Sequence, residues 1–177
     1  PAKFGQMIYA YDATSLYVNL FMPSRVNWSA RGVTVTQTTR FPDQDQTELT
    51  LSGKKPGRFS LKVRHPNWVD AGQLTVTING KPVSVASQPG GYAELNRIWK
   101  DGDKLIVSLP TKVTVTPLPE SDRFVAIQYG PVVMAAKVDN HGLKKEDFRH
   151  EREFVASEEI PVIEAPTLRS EITNIAD

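Results

Sequence analysis

The sequence predicts an all-β protein: an antiparallel β-sandwich, jelly-roll-like, followed by an extended and mostly irregular carboxy-terminal arm. Three observations predict it. Apolar and polar residues alternate along short segments, turn-forming residues separate those segments, and no window of residues 1–137 keeps the apolar spacing of a helix. We expect about 9–12 short strands over residues 6–137, with little helix.

The alternation recurs in each predicted strand, in chain order. In the first strand Leu16 and Val18 point to one side, while Tyr17 and Asn19 point to the other. The same period of two continues in five later segments, at residues 33–35, 49–51, 59–63, 74–78 and 105–109. Val, Thr and aromatic residues dominate these segments, which is typical of strands that bury one face.

Turn signals separate these strands. Asn79-Gly80 lies between two apolar segments, and both residues tolerate a positive φ, so the pair predicts a tight hairpin turn. Residues 53–57 (GKKPG) and 100–103 (KDGD) separate two further pairs of strands. Turns that recur after short strands are typical of a sandwich, in which each sheet buries one face against the other.

The domain organisation changes near residue 137. Residues 1–137 predict one sandwich domain, in which a strand at about 123–137 begins or closes a second sheet unit. Residues 138–177 are polar and lack strand periodicity, so they form an extended arm, a disordered tail or the truncated start of a further domain. Phe148 and Phe154 favour an arm that lies on a neighbour, because a free tail has little use for them.

Composition excludes several classes of partner. With 21 basic and 20 acidic side chains the net charge is +1, which predicts neither a nucleic-acid partner nor an anionic membrane partner. No apolar run approaches the roughly 20 residues of a membrane helix. The absence of Cys excludes thiol nucleophiles, thiolate zinc sites and disulfides within these residues.

Candidate acid–base groups and metal ligands do not form a recognisable constellation. The candidates are the three histidines, His65, His141 and His150, and two close aspartate pairs, Asp43 with Asp45 and Asp101 with Asp103. No histidine has a second ligand at a metal-binding spacing, and the aspartates lie in turn-like contexts without apolar flanks. We therefore expect no catalytic residue, no metal site and no cofactor in this chain.

Four aromatic residues are candidates for carbohydrate contact, because exposed Trp and Tyr rings stack on sugars. They are Trp28, Trp68, Tyr92 and Trp99. Each Trp lies just past a strand or just before a turn, where it caps the core or contacts another domain more often than it binds a ligand. Both interpretations stay open at this point.

Six segments together resemble the region after the catalytic barrel in glycoside hydrolase family 127, the β-L-arabinofuranosidase-type enzymes. In chain order they are SLYVNLFMPS at 15–24 (followed by Asn27-Trp28), TQTTRFP at 36–42, LKVRHPNW at 61–68, VTINGKPV at 76–83, RIWKDGD at 97–103 and RFVAIQYGPVV at 123–133. No single segment is specific, but six in the family's order are.

The resemblance implies that the chemistry lies outside this chain. In such enzymes a preceding (α/α)₆ barrel holds a Cys nucleophile at a zinc site of Cys and Glu ligands. This chain contains no Cys, so none of those residues is carried over, and a zinc site is implied only for the missing catalytic domain. The resemblance thus implies that the parent is a glycoside hydrolase and that this chain alone is not an enzyme.

The leading hypothesis is a non-catalytic accessory sandwich that packs on the catalytic barrel of its parent chain. Phe4, Ile8, Phe148 and Phe154 are the candidates for inter-domain packing, and we expect apolar surface near the amino end. The alternative is a carbohydrate-binding module for plant-type arabinose-containing glycans; a free-standing adhesion domain ranks third. We expect a periplasmic or extracellular location in a bacterial parent.

Overall fold

The structure, a computed structural model, describes residues 3–117, 119 and 125–135. Its helices are one turn, α1 (Phe4–Met7), and a 3₁₀ turn at Ser29–Arg31. The strands are β1 (Tyr9–Tyr11), β2 (Ser15–Val18), β3 (Ser24–Trp28), β4 (Val33–Thr39), β5 (Gln46–Ser52), β6 (Gly57–Arg64), β7 (Thr75–Ile78), β8 (Lys81–Val83), β9 (Tyr92–Trp99), β10 (Lys104–Ser108), β11 (Val113–Pro117), β12 (Val125–Tyr129) and β13 (Val132–Val133). The all-β prediction is confirmed, with thirteen strands in the described residues rather than the expected upper limit of twelve.

Two sheets form the sandwich. One has four strands in the order β1-β2-β6-β9, and the other has six in the order β3-β4-β5-β10-β7-β8. The pairing between β2 and β6 is parallel, whereas the other pairings within these two sheets are antiparallel. The parallel pair departs from the purely antiparallel expectation, because β6 follows a crossover from the other sheet instead of a hairpin.

The core lies between the two sheets and follows the period-two pattern. Along β4, β5 and β10 alternate residues are buried, and those side chains meet the inward residues of β2, β6 and β9. The largest buried side chains include Leu16, Leu49, Leu51, Phe59, Leu61, Trp99, Leu105 and Leu109. Burial of these apolar faces is the main force that holds the two sheets together.

The hairpin at Asn79-Gly80 has the predicted geometry. Asn79 has φ 51° and Gly80 has φ 77°. Ile78 pairs with Lys81 on either side of this two-residue loop. Positive φ at both central residues defines a type I′ turn, whose twist matches that of the flanking strands.

One buried polar residue, Gln37, interrupts the apolar inward face of β4. With the amide orientation assigned from its neighbours, the nitrogen donates to the carbonyl oxygens of Leu20 and Met22, each at 3.2 Å, and the oxygen accepts from the Thr47 hydroxyl at 2.9 Å. The Tyr9 hydroxyl lies 3.3 Å from the same amide. Because a buried amide without partners is costly, these bonds fix the segment between β2 and β3 against the sheet.

The described residues fall in two units. The sandwich unit contains residues 3–114 and 128–133, and the described parts of 115–127 and 134–135 belong to the second. A third sheet has the order β11-β12-β13, in which Gln128 pairs with Val133 and Tyr129 with Val132. The predicted strand at 123–137 corresponds to β12 and β13, and the predicted arm at 138–177 lies outside the described residues.

Candidate functional site

Three of the four aspartates considered as acid–base groups accept hydrogen bonds from turns or loops. Asp103 is buried and accepts from the Lys100 backbone N–H at 2.9 Å and from Asn79 Nδ2 at 2.8 Å. Asp101 accepts from the Gly53 N–H at 2.9 Å. Asp45 accepts from the Thr111 hydroxyl at 2.8 Å. Asp45 therefore holds the loop after β10 at the start of β5, whereas Asp101 and Asp103 hold the loops at the opposite end of these two strands together.

His65 is fully buried, and both of its ring nitrogens have partners. Nε2 lies 2.9 Å from the carbonyl oxygen of Val69, and Nδ1 lies 2.8 Å from the Ser87 hydroxyl. A carbonyl only accepts, so Nε2 carries the proton and Nδ1 accepts from Ser87; this tautomer is assigned from the hydrogen-bond geometry. The ring thus ties the loop after β6 to the loop before β9.

Trp28 and Trp99, two of the aromatic candidates, lie in the core. Trp28 is 2% exposed and Trp99 is 1% exposed. Both rings contact Phe59, with centroid distances of 5.4 Å and 5.7 Å, and Trp99 Nε1 donates to the Phe59 carbonyl at 3.1 Å. Neither ring has a face free for a sugar in this arrangement, because other side chains already cover both.

Trp68 is half-buried at the other end of the sandwich, where it stacks on Phe41 with a centroid distance of 6.0 Å. Its Nε1 is buried and has no hydrogen-bond partner among the described residues. A Cβ on Gly130 would lie 2.6 Å from Thr111 Cγ2 and 3.5 Å from Trp68 Cδ1, and Gly130 has φ 54°. Glycine is therefore required where the chain after β12 passes Thr111 and Trp68.

Tyr92 lies on the outward face of the four-stranded sheet. Its ring meets Tyr17 edge-on at a centroid distance of 5.4 Å, and its hydroxyl donates to Asn19 Oδ1 at 2.8 Å. Both tyrosines are partly exposed. Of the four aromatic candidates, Tyr92 is therefore the one that the structure places on an outward face beside polar groups.

A continuous series of polar contacts crosses this same face. We call its members the polar chain: Asp12, Tyr17, Lys62, Glu94, Ser60, Asn96 and Arg58. The Tyr17 hydroxyl donates to Asp12 Oδ2 at 3.1 Å, and Lys62 Nζ donates to the Tyr17 oxygen at 3.3 Å. Lys62 Nζ also lies 3.9 Å from Glu94 Oε2. Three strands and one loop are thereby linked through their side chains.

The polar chain continues to the edge of the sheet. The Ser60 hydroxyl donates to Glu94 Oε1 at 2.7 Å, and Asn96 Nδ2 donates to the Ser60 oxygen at 2.9 Å. Arg58 Nη1 then donates to Asn96 Oδ1 at 3.2 Å. By contrast, the outward face of the six-stranded sheet carries a row of Thr along β4 and β5, for example Thr34, Thr36 and Thr50, beside the ion pair of Glu48 with Lys104. The two outward faces of the sandwich thus differ in chemistry.

Hydrogen bonding shifts the pKa of two members of the polar chain. The Thr14 backbone N–H, helped by the Ser15 N–H and the Tyr17 hydroxyl, lowers the pKa of Asp12 from 3.8 to about 2. The hydrogen bond to Tyr17 raises the pKa of Lys62, and the Glu94 charge acts in the same direction. Both groups are therefore charged at neutral pH.

The Asp12 pKa is open to a direct test. In an NMR titration of the folded chain we expect the Asp12 carboxyl to titrate near 2, and Tyr17→Phe to raise that midpoint by removing one donor. Because the folded pKa lies below the usual 3.8, the stabilisation from this carboxylate is complete above 3.8 and is lost as pH falls towards about 2. Tyr92→Phe is the matched control, since its hydroxyl bonds Asn19 instead. A midpoint near 3.8 in the unsubstituted chain contradicts the assignment.

An open groove lies beside the outward edge of β9. It has a volume of about 490 Å³. Its wall includes Arg58, Glu94 and Asn96 of the polar chain, together with Arg97 and Ile98. A second cavity of about 440 Å³ lies around Asp43 and Asp45. We describe the first groove as the β9 groove.

The four candidates for inter-domain packing differ in where they lie in the structure. Ile8 is buried within the chain itself, the Phe4 side chain is outside the described set, and Phe148 and Phe154 lie outside the described residues. Other apolar side chains near the amino end are exposed: Met7 at 59%, Tyr11 at 64% and Met22 at 47%.

The polar chain was not predicted from the sequence, because aromatic rings and carboxylate pairs taken singly do not indicate it. The available signal was the alternation itself, which places Tyr17 opposite the buried pair Leu16 and Val18. Placing Lys62 and Glu94 beside it required the pairing of β2 with β6 and of β6 with β9.

Neither a metal centre nor a membrane span is found in the part of the chain that the structure describes. No three His, Asp or Glu side chains there are grouped so as to hold a metal ion. A zinc site of Cys and Glu ligands does not fit this chain, because it has no Cys. Within the same residues, no helix is long and apolar enough to cross a membrane.

A protein-family model described as the middle domain of GH127 β-L-arabinofuranosidases matches residues 15–111. That stretch runs from the start of β2 to just beyond β10 and so includes most of both sheets of the sandwich. Comparison with curated proteins finds no match.

The solved structures that are similar to this chain include three glycoside hydrolases. A GH127 β-L-arabinofuranosidase from Geobacillus stearothermophilus T6 is 32% identical with a TM-score of 0.66, over 75% of this chain and 22% of that one. A protein named as a glycoside hydrolase is 31% identical with a TM-score of 0.63, over 71% of this chain and 22% of that one. A GH127 β-arabinofuranosidase is 26% identical with a TM-score of 0.61, over 71% and 23%. The chain thus spans about a fifth of the length of the solved structures that it matches.

Proposed function

This chain belongs to the family of GH127 β-L-arabinofuranosidase middle domains, and from that premise we propose that it is a non-catalytic domain that stabilises a longer glycoside hydrolase by packing against its catalytic domain. One observation carries the proposal. The family match covers most of the two-sheet sandwich, yet this chain corresponds to only 22% of the similar arabinofuranosidase. The remaining part of such an enzyme is large enough to hold the chemistry.

The hydrogen bonds of three aspartates and of His65 support a structural role for these residues. Asp45, Asp101 and Asp103 accept hydrogen bonds from turns, and His65 joins two loops. A catalytic acid or base needs a proton-transfer path to a substrate, whereas these groups are committed to neighbours in the same chain. Under this proposal a zinc ion, if the hydrolase uses one, is held by the other domain.

Exposed apolar side chains near the amino end are the surface that we propose for the packing. Met7 and Met22 are about half exposed although they are large and apolar, and Tyr11 is exposed further still. Their burial against another domain contributes roughly 25 cal/mol for each Å² of apolar surface covered. Inter-domain contacts of this kind are a common use of such side chains.

The test compares the isolated chain with the longer hydrolase that contains it. We expect the isolated chain to release no 4-nitrophenol from 4-nitrophenyl β-L-arabinofuranoside. We expect the double substitution Met7→Gln and Met22→Gln to lower the melting temperature of the longer hydrolase, because it replaces apolar surface that the contact between the domains buries. The same double substitution leaves the melting temperature of the isolated chain unchanged, since both side chains are exposed there.

Ile98→Gln is the matched control, because Ile98 is 56% exposed and lies on β9 instead of near the amino end. Hydrolysis by the purified isolated chain overturns the non-catalytic part of the proposal. Equal melting temperatures for the longer hydrolase with and without the double substitution overturn the packing surface.

A second function, glycan binding, is favoured by one specific observation. Tyr92 and the polar chain place aromatic and hydrogen-bonding groups on one outward face, which continues into the β9 groove. Concave sites with a few fixed polar groups are typical of ligand binding.

A further inference from the structure

We propose that the β9 groove binds a sugar that carries a carboxylate, such as a uronic acid residue. The carboxylate follows from the charges in the groove, and the sugar class rests on the proposed function as part of a glycoside hydrolase. Nothing in the packing role of the domain requires this site. An experiment can therefore contradict either proposal without contradicting the other.

The β9 groove lies at a free sheet edge. In the described residues β9 pairs with β6 on one side only, at the end of the order β1-β2-β6-β9. The groove has a volume of about 490 Å³, which is within the usual range for small-ligand sites. Ile78, Val83 and Leu95 contribute apolar surface, and Ile98 is 56% exposed. This surface suits the C–H face of a sugar ring.

Two arginines in the groove lack a carboxylate partner. Among the described residues no acidic oxygen lies within 4 Å of Arg58 or Arg97, whereas Lys62, Lys104 and Lys112 each have one. The guanidinium group is the side chain that best matches a carboxylate, because two of its N–H groups bond both oxygens at once. A bound carboxylate therefore supplies the partner that the described residues do not.

Both guanidinium groups are held in place without using most of their donors. Arg97 lies over the Trp99 ring at 5.2 Å, and its Nε contacts the Ile98 carbonyl at 3.5 Å. Arg58 uses Nη1 to bond Asn96 Oδ1 at 3.2 Å. Side chains that are already ordered lose less conformational entropy when a ligand binds.

Glu94 also lines the groove, but its charge is compensated. Its Oε1 accepts from the Ser60 hydroxyl at 2.7 Å, and its Oε2 lies 3.9 Å from Lys62 Nζ. A carboxylate that enters the groove therefore meets a local excess of positive charge at the edge of β9, with Arg58 on the outward face of the sheet and Arg97 on the opposite face, which it shares with Trp99. This local excess is not a property of the whole chain, whose net charge is +1.

The groove also favours an acidic sugar over a neutral one. No aromatic side chain lines it, so it lacks the ring on which a neutral sugar stacks. Hydrogen bonds to a charged group contribute more than neutral ones, and a factor of ten in affinity needs only about 1.4 kcal/mol. We therefore expect the carboxylate to dominate recognition.

The experiment is an NMR titration of the ¹⁵N-labelled chain with D-glucuronate and, as the matched neutral sugar, D-glucose. We expect glucuronate to shift the amide signals of β9 and to bind at least about tenfold more tightly than glucose. Arg97→Gln reduces the glucuronate affinity about tenfold or more, and Arg58→Gln reduces it several-fold. High salt weakens binding, because the attraction is between charges.

Arg25→Gln is the control, because Arg25 is exposed on β3 outside the groove. It leaves the affinity unchanged. Melting curves show whether Arg97→Gln disturbs the fold through Trp99; if it does, Arg58→Gln and Arg97→Lys decide the result. Absence of glucuronate binding, equal binding of glucose, or an affinity that neither Arg58→Gln nor the folded Arg97 variant reduces overturns the proposal. None of these outcomes affects the melting-temperature test of the packing role.

Discussion

Replacing Trp99 with alanine is expected to lower the free energy of unfolding by about 3–5 kcal/mol, as large aromatic truncations in cores do. Trp99 is 1% exposed and packs against Phe59, which in turn packs against Trp28. The substitution leaves a cavity where three rings meet, and it also removes the donor to the Phe59 carbonyl. A domain of this size has roughly 5–15 kcal/mol of stability in total, so the loss is a large share of it.

Urea unfolding at 25 °C, followed by circular dichroism, measures this effect. Ile98→Ala is the matched control, because Ile98 is the preceding residue on β9 and points to the opposite face, 56% exposed. It is expected to change stability by no more than about 0.5 kcal/mol. A loss below about 1 kcal/mol for Trp99→Ala contradicts a core position for the ring.

The alternation in the sequence was sufficient to predict most strands and the hairpin at Asn79-Gly80. The same alternation also indicates which of the aromatic candidates lie in the core. Within β9, Leu95 and Trp99 are four residues apart and so share a face, which places Trp99 in the core and Tyr92 outside it. Applying the same rule within β3 places Trp28 beside Val26 on the inward face. Both Trp positions were therefore predictable from the pattern.

Other features depended on pairings between distant segments. The parallel neighbours β2 and β6 are separated by three strands of the other sheet, and no local pattern indicates that they meet. The same is true of Gln37, whose amide partners come from the segment before β3 and from β5. The polar chain and the β9 groove both require these pairings, so the sequence indicated the residues without indicating the site.

Two turns show when the local sequence is sufficient to explain a glycine and when it is not. Asn79 and Gly80 define their hairpin without help from the rest of the fold, because their backbone preferences suffice. Gly130 is different, since its need for glycine arises from Thr111 and Trp68, which lie far away in sequence. A glycine of the second kind is understood only when its neighbours in space are known.

Replacing His65 with alanine is expected to lower the free energy of unfolding by about 2–4 kcal/mol. The loss is large because the substitution removes a buried ring and two hydrogen bonds together. The ring is 0% exposed, and the Val69 carbonyl and the Ser87 hydroxyl lose their partner.

Urea unfolding near neutral pH measures the His65 effect, with Arg64→Ala as the control, because Arg64 is exposed on the same strand. His65→Asn, which keeps a polar group near the Nδ1 position, should recover part of the loss, since Ser87 regains a partner. If His65→Ala is no more destabilising than Arg64→Ala, the ring does not join the two loops. If His65→Asn recovers nothing, the loss comes from the cavity and the Val69 bond instead. That pattern separates the contribution of packing from that of the Ser87 hydrogen bond, which a single alanine substitution cannot do.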